Sequence, residues 1–374
     1  MLKPAIALFL CFVCLPYVAV AEEIKESTLP NDWPLSTLES EGINPEPIVQ
    51  VANQIRSQIY ENIHSFLIVR NGKLVFEAYY TGTDGARGVV EFGEQTLHDT
   101  RSVTKSITST LTGIAIDRGY IDSVDVPMAR FFPEYAHHLT EEKGRITLKH
   151  LLTMTAGFNW DQSGAHNSEP GSLNSEAQME NASDFIEYVL SREMSDEPGS
   201  RFNYNSGCYI LLAGVIKRAS GMHVDKFADN HLFAPLGIDH SEWWYTKSGL
   251  PQTHAGLRLS PRDMAKIGQL YVDNGRFHGR QVVSAAWISE SEKGHYGNDR
   301  YGFGWWLDHF PYRGRSVDVL AAEGNGGQFI FAIPKLSLVI VFTGGNYGSS
   351  VANQAFRIAI NHMLPAVSET DNGK

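Results

Sequence analysis

The chain has 374 residues, 43% of them hydrophobic, which is enough to bury the core of one large domain or of two lobes. Its formal net charge of −11 at pH 7 offers no basic surface, so a nucleic-acid partner is not expected. We find no internal repeat of fixed period and no low-complexity segment.

Residues 1–21 have the pattern of a secretory signal peptide. Lys3 supplies the positive start, residues 5–20 are a short apolar stretch, and Ala19-Val20-Ala21 fits a cleavage site of small residues. We therefore expect an exported protein, periplasmic or secreted, with no stable membrane span after cleavage. Of the three cysteines only Cys208 would remain, so no intramolecular disulfide is expected.

The first element after this segment is a predicted β-hairpin. Residues 65–70 and 73–80 are rich in β-forming side chains, and they flank Asn71-Gly72. Two such runs around Asn-Gly are a strong signal for two antiparallel strands joined by a tight turn.

The next element is a predicted helix that begins near Ser102 and ends at Asp117-Arg118-Gly119, with apolar residues at helical spacing between. Its first turn carries the pattern Ser-x-x-Lys, Ser102 and Lys105, which is known from serine enzymes that form acyl intermediates. A lysine one turn away can take the proton of the serine hydroxyl once its own extra proton is lost. The alternative is a capping serine beside a solvated lysine.

The middle of the chain, roughly residues 120–300, is predicted to be a mostly helical lobe. A second pair of strands follows, at 328–333 and 336–342, and a helix over 352–363 closes the chain. Helices in the lobe are predicted at residues 146–152, 209–216 and 261–272. Because strands connected in pairs lie near both chain ends, we predict an α+β fold in which both ends build one antiparallel sheet flanked by helices.

Two further segments carry groups suited to the same chemistry. Tyr204 lies just before the 209–216 helix, where its phenol could relay a proton, although a tyrosine packed beneath a loop is the simpler interpretation. Residues 323–328, Glu-Gly-Asn-Gly-Gly-Gln, lead into a strand. A backbone N–H here could complete an oxyanion hole with that of Ser102, and the alternative is a plain turn or a β-bulge.

Other classes of site are not indicated. The fourteen histidines form no His-x-x-x-His pattern, so neither a metal nor another cofactor is expected. No Gly-x-Ser-x-Gly elbow is present, which argues against the α/β-hydrolase arrangement. Trp305-Trp306 could line an acyl pocket or could equally belong to the core.

Taken in order, Ser102-x-x-Lys105, then Tyr204-Asn205-Ser206, then a glycine-rich turn into a strand, the chain resembles the β-lactamase-like serine hydrolases. These include class C β-lactamases, D-alanyl-D-alanine carboxypeptidases, family VIII esterases and 6-aminohexanoate-dimer hydrolases. The resemblance runs from about residue 65 to residue 363 and implies one β-lactamase/transpeptidase-like domain over residues 22–374. Supporting segments are residues 146–153, 235–237 and 256–263.

The resemblance also implies roles. Ser102 would be the acylated nucleophile, and Lys105 with Tyr204 would transfer its proton as general base and acid. Ser206 fills the third place of the Tyr-x-Asn motif, where its hydroxyl could hydrogen-bond Lys105. The substrate-binding or oxyanion residues would be Ser206, Asn325, Gly326, Gly327 and Gln328, with the second N–H near Gly327 or Gln328.

One departure bears on the substrate. Penicillin-recognising members carry Lys-Thr-Gly, or His in the first place, whereas this chain has Gly324-Asn325-Gly326 preceded by Glu323. The cation that would pair with a substrate carboxylate is missing from this strand. We therefore expect hydrolysis of a small-molecule ester or small amide. The alternatives are a β-lactamase or D-alanyl-D-alanine carboxypeptidase acting on β-lactams or peptidoglycan, and a non-catalytic binding protein on the same fold.

Overall fold

A computed structural model describes residues 33–85, 87–162 and 173–369 of the chain. The signal-peptide prediction lies outside these residues. The strands are β1 Ile63–Arg70, β2 Lys73–Tyr79, β3 Thr81–Asp84, β4 Gly88–Glu91, β5 His98–Asp99, β6 Glu242–Trp243, β7 Leu257–Leu259, β8 Arg276–Phe277, β9 Arg280–Gln281, β10 Trp306–Tyr312, β11 Arg315–Gly324, β12 Gln328–Ile333 and β13 Leu338–Gly344.

The α-helices include three long ones at the centre of the molecule, α2, α7 and α10. The full set is α1 Pro45–Arg56, α2 Val103–Asp117, α3 Glu141–Gly144, α4 Leu148–Leu152, α5 Ser175–Asn181, α6 Phe185–Ser191, α7 Ser206–Ser220, α8 Val224–Ala228, α9 Ala234–Leu236, α10 Pro261–Val272, α11 Ala285–Ser291, α12 Gln354–Ile358 and α13 Leu364–Ala366. Short 3₁₀ turns are Met128–Phe131, Pro133–His138, Pro334–Leu336 and Ser350–Asn353, and π-helical turns are Asp229–Phe233 and Ala359–Met363.

The main sheet joins the two ends of the chain. Its six strands lie in the order β10-β11-β12-β13-β1-β2, and every neighbouring pair is antiparallel. The predicted α+β fold with a sheet built from both chain ends is confirmed. The sequence analysis predicted four of the six strands. It missed β10, an edge strand that is mostly half-buried or exposed, and β11, whose first half is mostly exposed.

The sheet is buried on both faces, which explains the continuous apolar run of β1. Successive side chains point to opposite faces, so Leu67 and Val69 pack with α2, α7 and α10, while Phe66 and Ile68 pack with α1 and the C-terminal helices. Helix α2, which begins directly after Ser102, therefore lies against one face of the sheet, within the larger of the two cores.

Several predicted boundaries are confirmed, and others shift by a few residues. The first hairpin turns at Asn71 and Gly72, whose φ angles of 53° and 73° suit the tight turn predicted from Asn-Gly. Helix α10 spans the predicted residues 261–272. Helix α7 begins at Ser206, three residues before the predicted start, because Asn205 caps it by accepting a hydrogen bond from the N–H of Cys208.

Two predictions needed larger corrections. The closing segment 352–363 is not one α-helix, because it combines a 3₁₀ turn, α12 and a π-helical turn. The strand predicted from residue 336 begins at Leu338, since Pro334–Leu336 form a 3₁₀ turn. In the described part of the chain, no helix has both the length and the apolar character that a bilayer span requires.

Candidate active site

The N-terminus of α2 presents Ser102 at the edge of the larger core. Ser102 occupies the N-cap position, with φ −66° and ψ −10°, and its side chain makes no capping hydrogen bond. The hydroxyl is thus available for other partners, and the simple capping interpretation does not describe this residue. The first backbone N–H groups of a helix have no partner within the helix and favour negative charge nearby.

Lys105 lies one turn further along α2 and is only 1% exposed. The alternative of a solvated lysine is therefore wrong. Its Nζ donates hydrogen bonds to Ser102 Oγ at 2.9 Å and to the backbone carbonyl of His254 at 2.8 Å. These two contacts fix the nitrogen beside the hydroxyl, at a distance suited to proton transfer.

Tyr204 approaches the same lysine from the segment before α7. Lys105 Nζ lies 5.1 Å from the centroid of the Tyr204 ring. The Tyr204 ring also stacks on Trp306 at the start of β10, with 5.7 Å between the ring centroids and an interplanar angle of 12°. The structure thus brings together Ser102 and Lys105, at the start of α2, and Tyr204, in the segment before α7.

Ser206 does not make the expected contact with Lys105. Its hydroxyl donates to Glu176 Oε1 at 2.6 Å and accepts from Gln162 Nε2 at 2.8 Å. The reason is geometric: Ser206 is the first residue of α7, and Glu176 in the first turn of α5 lies beside that helix start. Ser206 therefore links α7 to α5 and is not part of the Ser102–Lys105 contact.

Of the four residues predicted in this segment as binding or oxyanion groups, Asn325, Gly326 and Gly327 form the hairpin turn between β11 and β12, and Gln328 begins β12. Asn325 is exposed and accepts a hydrogen bond from the N–H of Gly348 at 2.8 Å. The N–H of Gly327 bonds the carbonyl of Gly324 at 3.3 Å, and the carbonyl of Gly326 accepts from Asn346 at 2.9 Å. The buried amide of Gln328 bonds the backbone of Gly344.

These bonds tie the turn to the loop after β13, so the turn acts as a scaffold. The segment that lies beside the nucleophile is the end of β11. A Cβ added at Gly324 would be 2.4 Å from the carbonyl oxygen of Thr100, two residues before Ser102. Pairing with β10 stops at Ala321, which leaves residues 322–324 without a β10 partner on that edge.

The Glu323 side chain lies on the face of β11 that points away from α2. Gly324 faces α2, and since side chains alternate along a strand, Glu323 points to the opposite face. Burial raises the pKa of Glu323 to about 8, and the neighbouring carboxylate of Asp308 adds to the effect. Glu323 is therefore largely protonated at neutral pH and does not place a negative charge beside Ser102.

His254 is a site residue that the sequence analysis missed. Its fully buried ring lies 3.2 Å through Nε2 from Glu180 Oε1 and 3.9 Å from Glu176 Oε1, an arrangement that could hold a metal ion. The Nδ1 atom is buried and has no partner among the described residues. A metal on Nε2 would put the ring proton on that unpaired Nδ1, whereas a proton on Nε2 can donate to Glu180. The ring chemistry thus favours a hydrogen bond over a metal.

The contribution of His254 to the site is its backbone carbonyl, which no side-chain motif can reveal. Trp306 was available to sequence analysis as half of the pair Trp305-Trp306, and the structure separates the two. Trp305 is fully buried in the core, while Trp306 packs on Tyr204.

The Beta-lactamase family model matches residues 64–360, so the chain belongs to this family. It is 25% identical over 237 residues to a 6-aminohexanoate-dimer hydrolase from Paenarthrobacter ureafaciens, an alignment that covers 60% of this chain and 55% of that protein. This relative indicates the class of reaction but not the substrate.

Solved structures show the same fold at lower identity. A family VIII carboxylesterase superposes with a TM-score of 0.63 and 18% identity, covering 86% of this chain and 99% of that one. A hydrolase with promiscuous acyltransferase activity gives a TM-score of 0.65 and 16% identity, covering 84% and 97%. The chain therefore has the β-lactamase/transpeptidase-like fold, in a family of hydrolases that includes esterases and amidases.

Proposed function

We propose that the protein is a serine hydrolase that cleaves an ester or a small amide through an acyl-enzyme on Ser102. The observation that carries this proposal is the 2.9 Å contact between Lys105 Nζ and Ser102 Oγ, with the Tyr204 ring beside the same nitrogen. A buried amine held against a hydroxyl at a helix N-terminus is the arrangement that a serine nucleophile needs.

In the first half of the reaction the neutral amine of Lys105 accepts the proton of Ser102 as the oxygen attacks the substrate carbonyl. The C–O bond to Ser102 forms, and the carbonyl becomes an oxyanion. When the oxyanion collapses, the bond to the leaving group breaks, and Tyr204 passes a proton to the departing oxygen or nitrogen and regains one from Lys105. In the second half water attacks the acyl-enzyme, and the same pair takes its proton. The bond between the acyl carbon and Ser102 Oγ then breaks, the pair returns the proton to Ser102 Oγ, and the acid product leaves.

The oxyanion needs two backbone donors. We assign one to the N–H of Ser102 and the other to the unpaired edge of β11 at residues 322–324, in place of Gly327 or Gln328. The support is the contact between Gly324 and Thr100 and the end of β10 pairing at Ala321.

The first test is hydrolysis of p-nitrophenyl acetate by the purified protein, wild type beside Ser102→Ala. Loss of the nucleophile is expected to lower kcat/KM at least about a thousandfold, with unchanged circular dichroism. The matched control is Ser57→Ala, since Ser57 is an exposed residue whose hydroxyl bonds only the carbonyl of Gln54. Equal turnover by wild type and Ser102→Ala would refute the assignment of the nucleophile.

We also propose that the protein is exported, on the strength of the charged, apolar and small-residue pattern of residues 1–21. Mass spectrometry of the protein recovered from a periplasmic or culture fraction is expected to show a chain that starts at Glu22. Recovery of the uncleaved chain from the cytoplasm alone would refute export.

A further inference from the structure

Arg101 directly precedes the nucleophile and has an unusual backbone conformation. Its φ of 51° lies in the left-handed region, which a residue other than glycine seldom occupies. Such strain is kept only where the surrounding structure holds it, and it is concentrated at functional sites. The conformation is thus a reason to ask what the Arg101 side chain does.

The guanidinium of Arg101 is held between two aromatic rings. Its Cζ lies 5.3 Å from the ring centroid of Trp244 and 4.9 Å from that of Tyr347. Tyr347 in turn packs on Gly326, where an added Cβ would lie 2.5 Å from the tyrosine ring. Trp244 is 43% exposed. Arg101 therefore connects the loop after β6, through Trp244, with the glycine-rich turn, through Tyr347. This turn follows the end of β11 that borders Ser102.

The rings position the guanidinium, and the Tyr347 hydroxyl oxygen accepts one of its hydrogen bonds. An arginine has five N–H donors, and in the described part of the chain its one ion pair is with Asp99, at 3.7 Å from Nη2. Asp99 lies closer to Arg258, at 3.0 Å from Nε. The Nε of Arg101 is buried and has no hydrogen-bond partner among the described residues, whereas the side chain as a whole is 31% exposed. Because Asp99 lies beyond hydrogen-bond distance of Nη2, N–H groups on the two Nη atoms remain for a ligand that enters from solvent.

Arg101 also supplies what the neighbouring strand lacks. The strand beside the nucleophile carries no lysine or histidine where penicillin-recognising relatives have one, and Lys105 is engaged by Ser102 and His254. A planar guanidinium can bind a carboxylate through two parallel hydrogen bonds. Because Arg101 adjoins Ser102 in the chain, a carboxylate bound there would belong to the molecule whose carbonyl Ser102 attacks.

We propose that Arg101 is a specificity-determining residue that binds a substrate carboxylate, so that the preferred substrates are esters or small amides that carry a carboxylate. This inference rests on the proposed function, since it names the substrate class of the same site. Trp244 and Tyr347 act as positioning residues that hold the guanidinium in place.

The experiment compares one neutral ester with two esters that carry a carboxylate at different positions. They are p-nitrophenyl butyrate, which is neutral, mono-p-nitrophenyl glutarate, which has the carboxylate on the acyl part, and p-butyryloxybenzoate, which has it on the leaving group. Turnover is measured in a pH-stat for wild type, Arg101→Gln and Arg101→Lys. The control variant is Arg130→Gln, since Arg130 is a highly exposed arginine paired with Asp122 in the helical lobe.

For at least one charged ester, wild type is expected to show a higher kcat/KM than for the butyrate. Arg101→Gln is expected to reduce the ratio of charged to neutral turnover about 10- to 100-fold, as loss of a charge-assisted hydrogen bond would. Arg101→Lys is expected to recover part of the ratio, and Arg130→Gln to leave it unchanged. The ester whose ratio falls identifies which part of the substrate bears the carboxylate.

An unchanged ratio in Arg101→Gln would overturn the inference and leave the proposed function standing. An equal fall for all three esters, with a lower unfolding temperature, would also overturn it and make Arg101 a structural clamp. If wild type hydrolyses none of the esters, the proposed function is in question, and calorimetric titration with glutarate and with its diamide decides the inference separately. Binding of glutarate alone, lost in Arg101→Gln, supports it, and equal binding of both or of neither refutes it.

Discussion

Helices α2 and α7 have the same length and nearly the same burial, yet opposite side-chain chemistry. Each has 15 residues, and the two helices pack against each other. Helix α7 buries an almost wholly apolar set along residues 208–216. Helix α2 buries seven polar or charged side chains, which are Thr104, Lys105, Ser106, Thr108, Ser109, Thr110 and Thr112.

The hydroxyls of α2 fasten the loops around the nucleophile. Ser106 and Ser109 donate to the carbonyls of Gly304 and Phe303, at 2.6 and 2.7 Å. The Thr108 hydroxyl lies 2.9 Å from the carbonyls of both Thr104 and Thr253 and can donate to either one. Thr253 directly precedes the residue whose carbonyl holds Lys105. Apolar packing sets how closely two surfaces approach, but a hydrogen bond also sets direction. The comparison indicates that α7 supplies stability and that α2 supplies position.

The strongest way to break this comparison is Lys105→Met. The change keeps an unbranched side chain of similar length in a buried position but removes the proton acceptor, so kcat/KM is expected to fall about a thousandfold or more. The free energy of unfolding should change far less than the activation free energy does, since the contacts that are lost are two hydrogen bonds. The control is Lys217→Met in the exposed last turn of α7, which should alter neither quantity. Full activity in Lys105→Met would show that Lys105 of α2 takes no part in the reaction.

The second test is Leu211→Ala at the centre of α7. Leu211 is fully buried in the larger core, so its truncation is expected to cost about 2–5 kcal/mol of unfolding free energy through lost burial and a residual cavity. Urea denaturation measures the change. The kcat of the folded fraction should remain within about twofold of wild type. A large loss of kcat with little loss of stability would reverse the roles given to the two helices.

The third test separates the directional bonds of α2 from its mere burial. Thr108→Val keeps the shape of the side chain but removes the donor to Thr253, and we expect a loss of about 1–2 kcal/mol and a several-fold lower kcat. Thr112→Val is the matched control, because among the residues that the structure describes the Thr112 hydroxyl bonds the carbonyl of Thr108 in its own helix and no other element. Equal kcat values for the two variants would show that the Thr253 contact does not position the site.

The sequence could predict those features of the fold and of the candidate site that depend on local signals. The fold could be predicted because apolar spacing, Asn71-Gly72 and the segment of α10 are local signals that the structure confirms. Ser102 and Lys105 could be paired because one helical turn relates them. The carbonyl of His254 could not be predicted, since it reaches Lys105 from 149 residues away and through a backbone atom.

The proposed second oxyanion donor and Ser206 show the limit most clearly. Glycines 326 and 327 are predicted as oxyanion residues from their position before a strand, whereas in the structure their φ angles of 94° and 99° belong to the turn itself. The strand end that borders Ser102 contains Ala322, which has no distinctive sequence signal. Ser206 occupies the motif position but bonds Glu176 and Gln162, because the packing of α5 on α7 decides which partner is nearest.

The reactivity of Cys208, which involves no loss of catalytic activity, sharpens the account of α7 as a stability element. Burial raises the pKa of the Cys208 thiol, so the reactive thiolate is suppressed and reagent has no access in the folded state. In a Cys11→Ser/Cys14→Ser background, reaction with Ellman's reagent is expected to be slower than in urea by about a thousandfold or more, because it requires opening of α7. Adding Leu211→Ala should speed the reaction in proportion to the lost stability, whereas adding Thr112→Val should not. A rapid reaction in the native protein would mean that α7 opens without unfolding of the core, and the division of roles between the two helices would then fail.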